Sequence, residues 1–187
     1  MAGPIHQGAY YAFKYDVSKL LHYNKENTLE VKVAKHSADS SVNAAERRGD
    51  FWLFGGIFRP VWLEILPTVH MERVSIDAQA NGNFKARLRL NGKGTKITGQ
   101  IYSMDGEVVG QRFSQHIASK QREVDLQTII DSPSLWSSEF PSLYEVVFEL
   151  YDDNKVIHRI KMRFGFRTVD VRARDGIYVN GVKMKFK

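Results

Sequence analysis

The sequence predicts an all-β protein, on three observations. Apolar and polar residues alternate with a period of two along much of the 187-residue chain, as they do in strands with one buried face. Turn-forming pairs separate these stretches at intervals of about 10 residues, the spacing expected of an antiparallel sandwich. No long helical period occurs, and the one helical signal is Asp16, which is predicted to cap a single turn.

The predicted strands form two blocks that meet near Pro67, a residue that fixes φ and cannot donate to a strand ladder. The first block has about four strands, of which 28–33 and 61–65 are the clearest, and it lies near the size at which a single core becomes marginal. The second block has about seven strands in roughly 100 residues, which matches an immunoglobulin-like sandwich. Its clearest strands are 74–78, 84–90, 96–102, 123–126, 144–150 and 156–164.

Composition excludes several classes of protein. The absence of cysteine removes thiol nucleophiles, thiolate zinc sites and disulfides, and it leaves the redox compartment undetermined. Charged residues interrupt every apolar run well before the roughly 20 residues that a membrane helix needs, so no membrane association is expected. The first residues lack a basic segment followed by an apolar core, so no signal peptide is predicted, and the compartment stays open, a periplasmic or secreted location included.

The positive charge is concentrated at one end of the chain. Residues 155–187 carry 10 basic and two acidic side chains, whereas residues 1–154 carry 17 basic and 19 acidic ones. Basic and apolar residues alternate over 159–164, which favours a solvated sheet face over a phosphate-binding stripe. Nucleic-acid binding is therefore the weakest of the functional hypotheses, and no nucleic-acid partner is expected.

Groups that could carry out catalysis are scarce. No Gly-x-Ser-x-Gly turn and no glycine-rich loop before a helix is present, so neither a hydrolase triad nor a nucleotide site is predicted. The histidines are scattered and show no metal-ligand spacing, so no metal site, cofactor or catalytic residue is expected. They are His6, His22, His36, His70, His116 and His158.

The most distinctive segment is 45–63, where aromatic residues, Gly55-Gly56 and Asp50 occur together. Paired glycines permit a positive φ, so a loop is predicted, and Trp52 with its neighbours could either pack that turn or stack on a sugar ring. Because aromatic side chains mostly fill protein interiors, packing is the favoured alternative on chemistry alone. Glu46 and the two arginines after it form either an ion pair or a solvated charged run.

These residues resemble a known family, glycoside hydrolase family 2, the group of β-galactosidases, β-glucuronidases and β-mannosidases. Asp50-Phe51-Trp52 with Gly55-Gly56-Ile57-Phe58-Arg59-Pro60-Val61 resembles the end of its sugar-binding jelly-roll domain. Segments 6–18 and 26–31 are similar to earlier parts of that domain. Leu135-Trp136, Pro141-Ser142-Leu143-Tyr144, Phe164-Gly165-Phe166-Arg167 and Tyr178-Val179-Asn180-Gly181 resemble its immunoglobulin-like domain and the exit into a (β/α)8 barrel.

The resemblance implies a partial jelly roll over 1–67, an immunoglobulin-like sandwich over 68–168 and a lead-in strand to the barrel over 169–187. The catalytic glutamates of the family lie in the barrel, so this chain is expected to be inactive alone. The implied function is that of a non-catalytic region of a glycosidase of carbohydrate metabolism, resembling β-galactosidase most. The alternative is a stand-alone carbohydrate-binding or interaction module without a link to hydrolysis.

The resemblance also implies three substrate-binding residues, Asp50, Trp52 and His6, and a carbohydrate partner such as a β-galactoside. In the family the aspartate that matches Asp50 contacts substrate hydroxyls. Half a jelly roll leaves an unpaired edge and an apolar face, which predicts a homodimer or strand exchange. The residues expected on that face are Phe13, Tyr15, Val31, Trp62 and Leu63.

Overall fold

A computed structural model describes residues 1–49 and 55–185. The chain divides into two compact units, Met1–Leu63 and Glu64–Lys187. Among the described residues, every strand lies in the second unit and the one α-helix lies in the first. The predicted all-β class is therefore confirmed, and its strands come from the second unit.

Seven strands of the second unit form a β-sandwich of two antiparallel sheets, as predicted. One sheet has three strands in the order β1-β2-β5, and the other has four in the order β4-β3-β6-β7. The strands are β1 His70–Ala78, β2 Asn83–Asn91, β3 Lys96–Ser103, β4 Val108–His116, β5 Glu123–Ile129, β6 Tyr144–Asp152 and β7 Lys155–Phe164. This arrangement matches the sheet count and strand number of an immunoglobulin-like domain.

The core lies between the two sheets and follows the predicted alternation. In β2 every second side chain from Phe84 to Leu90 is buried, and β6 alternates in the same way from Val146 to Leu150. Phe164 links two aromatic contacts, with ring centroids 4.9 Å from Phe84 and 5.2 Å from Phe166. Such tilted aromatic pairs add to the stabilisation from burial alone.

Strand β4 was not predicted from the sequence. Its residues alternate poorly because the strand is irregular: Gly99 pairs with Phe113, but two residues later Ile101 pairs with Val109. Three residues of β4 therefore lie opposite Gln100 alone, which is a β-bulge, and Gly110 within it has φ +66°. The two extra residues keep Val109 and Phe113 on the inner face but leave Gln111 between them exposed, so the period-two pattern lacks one apolar position in mid-strand.

Three short strands follow the sandwich, where a single lead-in strand was expected. They are β8 Val169–Arg172, β9 Gly176–Val179 and β10 Val182–Lys183, in the order β10-β9-β8. Asn180 ties this small sheet to the sandwich, because its side chain accepts from the Thr168 N–H at 2.9 Å and donates to the Trp136 carbonyl at 2.9 Å.

In the first unit, helix α1 (Ser40–Arg47) was missed by the sequence analysis, which treated Asp16 as the only helical signal. Asp39 caps α1, accepting from the Ser41 N–H at 2.8 Å. The predicted single turn at Asp16 is confirmed, because its carboxylate accepts from the Ser18 N–H at 2.9 Å.

The strands predicted at 28–33 and 61–65 are wrong for this structure: neither segment belongs to a strand among the described residues. The physical reason is that a strand exists only beside a hydrogen-bonded neighbour, and these segments have none in the part of the chain that the structure describes. Their apolar side chains are exposed instead, Leu29 to 70%, Trp62 to 69% and Leu63 to 61%.

Candidate functional site

Of the three predicted substrate-binding residues, the structure describes His6. Asp50 and Trp52 lie outside the described residues. The site is therefore defined here by the loop that carries His6 and by helix α1, which ends at Arg47, three residues before Asp50 in the sequence.

His6 is held in one orientation by two contacts. Its ring stacks on Phe13, with centroids 4.1 Å apart and planes inclined by 24°. Its Nε2 lies 3.0 Å from the Gly8 carbonyl oxygen, so the N–H of the neutral ring is on Nε2 and Nδ1 keeps its lone pair. A ring fixed in this way presents a hydrogen-bond acceptor, and its flat face is covered by Phe13.

The loop that carries His6 is fastened to helix α1. The Ala9 N–H donates to both carboxylate oxygens of Glu46, at 3.1 and 2.9 Å. At the other end of α1, the side-chain oxygen of Gln7 accepts from the Asp39 N–H at 3.0 Å and from the Ser37 hydroxyl. The sequence left the role of Glu46 open, and the structure shows it bonding backbone 37 residues away.

Sequence reasoning missed this connection because it missed α1. The signal that could have found the helix was Asp39 as an N-cap followed by Asn43-Ala44-Ala45-Glu46-Arg47, most of which favours helix. Glu46 lies in the last turn of α1, which is the C-terminal end of the helix. The sequence continues from this end to Asp50.

The arrangement is suited to binding and orientation. Within residues 1–49 and 55–185, no three His, Asp or Glu side chains cluster closely enough to hold a metal ion. Over the same ranges no helix is both long and apolar enough to cross a membrane. Hydrogen-bond acceptors and aromatic faces near a loop are the groups that position a polar ring such as a sugar.

Four basic residues of the C-terminal stretch form ion pairs within the second unit: Arg159, Lys161, Arg172 and Lys183. On the outer face of the four-stranded sheet, Arg159 bonds Glu149 at 2.5 Å and Lys161 bonds Glu145 at 2.6 Å. In the small sheet Lys183 bonds Asp175 at 2.6 Å, which with the Tyr178 hydroxyl lowers the pKa of that carboxyl. The predicted sheet face is thus a row of cross-strand ion pairs.

Two further histidines meet at the beginning of β1. The ring centroids of His70 and His158 lie 6.0 Å apart, edge to face, and His158 Nδ1 accepts from the Met71 N–H at 3.1 Å. Burial and the charge of His70 lower the pKa of His158, while Glu64 opposes the shift. The bond from Met71 therefore places the proton of the neutral ring on Nε2, and the lowered pKa favours that neutral form.

Comparison with known proteins identifies the family. The model of "Glycosyl hydrolases family 2" matches residues 68–167, which contain the whole β-sandwich. A β-galactosidase of Thermoanaerobacter pseudethanolicus is 29% identical over 97% of this chain, and a putative β-glucuronidase of Formosa agariphila is 33% identical over 95%. These alignments cover 25% and 17% of the relatives, so the chain spans a quarter of their length or less.

Solved structures agree with this assignment. A β-glucuronidase of Bacteroides uniformis superposes on 91% of this chain with a TM-score of 0.69 and 25% identity, and the match covers 22% of that enzyme. A β-glucuronidase of Ruminococcus gnavus, at 21% identity and a TM-score of 0.51 over 65% of this chain, shows the shared fold. With its sandwich matched by the family model and nearly its whole length aligned to glycosidases, the chain belongs to glycosyl hydrolase family 2.

Proposed function

We propose that this chain is the non-catalytic, substrate-side region of a family 2 glycoside hydrolase that acts on β-galactosides. One observation carries the proposal: almost the whole chain aligns with about a quarter of a β-galactosidase. Retaining glycosidases need two carboxylates about 5 Å apart on either side of the glycosidic bond. In this proposal that pair lies outside the 187 residues, and this region supplies binding contacts and domain spacing.

The proposal divides the chain into residues 1–67 on the sugar side, a sandwich over 68–168 and a segment over 169–187 that leads towards the catalytic part. Asp50 accepts hydrogen bonds from sugar hydroxyls, Trp52 stacks on the ring and His6 offers its Nδ1 as an acceptor. The bonds from Glu46 to Ala9 support this grouping, because they hold the His6 loop against the helix that precedes Asp50.

A chimera tests this function directly. Residues 1–187 replace the aligned segment of the Thermoanaerobacter β-galactosidase, and kcat and KM are measured with a chromogenic β-galactoside. The chimera is expected to be active, and Asp50→Ala in it should reduce kcat/KM by about 10- to 150-fold, the effect of losing a charge-assisted hydrogen bond worth about 1.5–3 kcal/mol. Asp39→Ala, which removes the cap of α1, serves as a control for general destabilisation.

The isolated chain distinguishes the competing function. We expect it neither to hydrolyse the substrate nor to bind galactose measurably by calorimetry. Hydrolysis by the isolated chain would contradict the non-catalytic role. Two results together would instead favour an independent carbohydrate-binding module. The isolated chain would bind galactose saturably and lose this binding in Trp52→Ala, and the Asp50→Ala chimera would be as active as its parent.

A further inference from the structure

One arginine, Arg112, lies within the bulge of β4 on the outer face of the four-stranded sheet. Gly110, Gln111 and Arg112 lie opposite Gln100, and Gly110 adopts the positive φ that the bulge needs. The Gln100 amide donates to the Ile101 carbonyl at 3.1 Å and to the Val109 and Gly110 carbonyls at 3.4 Å, which fastens the bulge.

Arg112 extends from β4 across β3 to β6. Its Nη2 donates to the Thr98 hydroxyl at 2.9 Å, to the Tyr151 hydroxyl at 3.0 Å and to the Glu149 carboxylate. Glu149 also accepts from Arg159 at 3.0 and 2.5 Å. The two guanidinium groups share one carboxylate, so this cluster has a net charge of +1.

Half of the Arg112 guanidinium is left without a partner. All its bonds use Nη2, and its Nε and Nη1 bond no other described residue. Arg112 also lines a cleft of about 120 Å³, together with Gln100, Tyr102, Val108, Val147 and Glu149. Since a water molecule takes up about 30 Å³ of liquid, this volume accepts a carboxylate and the carbon that bears it.

We propose that this cleft is a binding site for a carboxylate group, with the free edge of Arg112 as its anion clamp. The guanidinium is already fixed by three acceptors, so little side-chain entropy is lost when an anion binds. Val108 and Val147 provide apolar walls for the carbon atoms of the ligand, and the net charge of the cluster favours a single negative charge. Neither the family assignment nor the proposed function assigns this site.

The test uses the 187-residue chain and sodium acetate at constant ionic strength, followed by ¹H–¹⁵N NMR of the Arg112 Nε–H and the Gln100 amide. We expect saturable shifts at both groups. Arg112→Gln, which leaves Glu149 paired with Arg159, should weaken binding at least about tenfold, equivalent to about 1.4 kcal/mol. Val108→Phe, at an exposed position, should block the cleft while leaving Arg112 in place. Ser114→Ala on the same strand is the matched control.

A second titration identifies the source of the carboxylate. A short peptide with one aspartate that binds at least tenfold more tightly than acetate would indicate an acidic protein segment, whereas equal affinities would indicate a small free acid. Either result supports the site. The proposal is overturned if acetate gives no saturable shift up to about 100 mM, if sodium chloride alone gives the same shifts, or if Val108→Phe leaves them unchanged.

Discussion

Asn180 should be the residue whose loss most weakens the attachment of the small sheet to the sandwich. Its side chain satisfies the Thr168 N–H and the Trp136 carbonyl, and its backbone has φ +51°. Two lost hydrogen bonds cost about 1 kcal/mol each, and the left-handed backbone, which asparagine tolerates, costs alanine up to about 1 kcal/mol more. Asn180→Ala should therefore destabilise the attachment by about 2–3 kcal/mol.

Native-state hydrogen exchange measures this free energy residue by residue. The Met184 N–H, which bonds the Ile177 carbonyl at 2.8 Å, should exchange roughly 30- to 150-fold faster in Asn180→Ala, the conversion of that energy at 1.4 kcal/mol per tenfold. Asn180→Gly should recover the part of the free-energy loss that comes from the backbone. Arg174→Ala is the control, because Arg174 also has a positive φ, +61°, but its side chain forms no hydrogen bond or ion pair with another described residue. A change in exchange below about twofold in Asn180→Ala would refute the reasoning.

Three further predictions follow from other contacts. Because the pKa of His158 is lowered in the folded chain, the folded state binds fewer protons than the unfolded state. The free energy of unfolding should be greatest above about pH 6.5, the ordinary pKa of histidine, and should fall on acidification by at most about 1.4 kcal/mol per pH unit. Urea melts from pH 5 to 8 measure this slope, which should vanish in His158→Asn. A slope retained in that variant would exclude His158 as its cause. Glu46→Ala should speed exchange of the Ala9 N–H about tenfold relative to Lys32→Ala, and unchanged exchange would show that the bond is absent in solution. Light scattering should give a mass near twice 21.4 kDa that Trp62→Ser shifts towards monomer, whereas a monomer at all concentrations would contradict dimerisation.

The sandwich could be predicted because its strands carry their burial pattern in the sequence. In β2 the polar residues between Phe84 and Leu90 alternate strictly with apolar ones, and exactly those apolar side chains are buried. The turns could also be predicted from the sequence. Asn-Gly and Asp-Gly pairs predict a positive φ at the glycine, and Gly82, Gly92 and Gly106 each adopt one. Local sequence decides both features, so no tertiary information was needed.

The first unit could not be predicted in the same way, because alternation indicates that a segment can become a strand and not that a neighbour exists. Val31 and Leu63 follow the strand pattern, yet both are largely exposed and lie outside any described ladder. The candidate site shares this limit. The sequence singled out His6, but its acceptor geometry depends on Phe13 and Gly8, and its link to helix α1 depends on a carboxylate 37 residues from Ala9.

The charge of the chain shows most clearly why position in the sequence and position in space must be distinguished. Residues 155–187 appear strongly basic when they are counted along the chain, partly because the acidic partners of Arg159 and Lys161 lie in the preceding strand. Pairing of β6 with β7 sets Glu149 opposite Arg159 and brings Glu145 to Lys161, so the sheet register pairs charges that the sequence separates by 10 and 16 residues. The uncompensated charge that remains on this face is local, and it includes the half-free guanidinium of Arg112, which belongs to a strand outside the basic stretch. A binding surface on this domain is therefore better sought where pairing fails than where basic residues are most frequent.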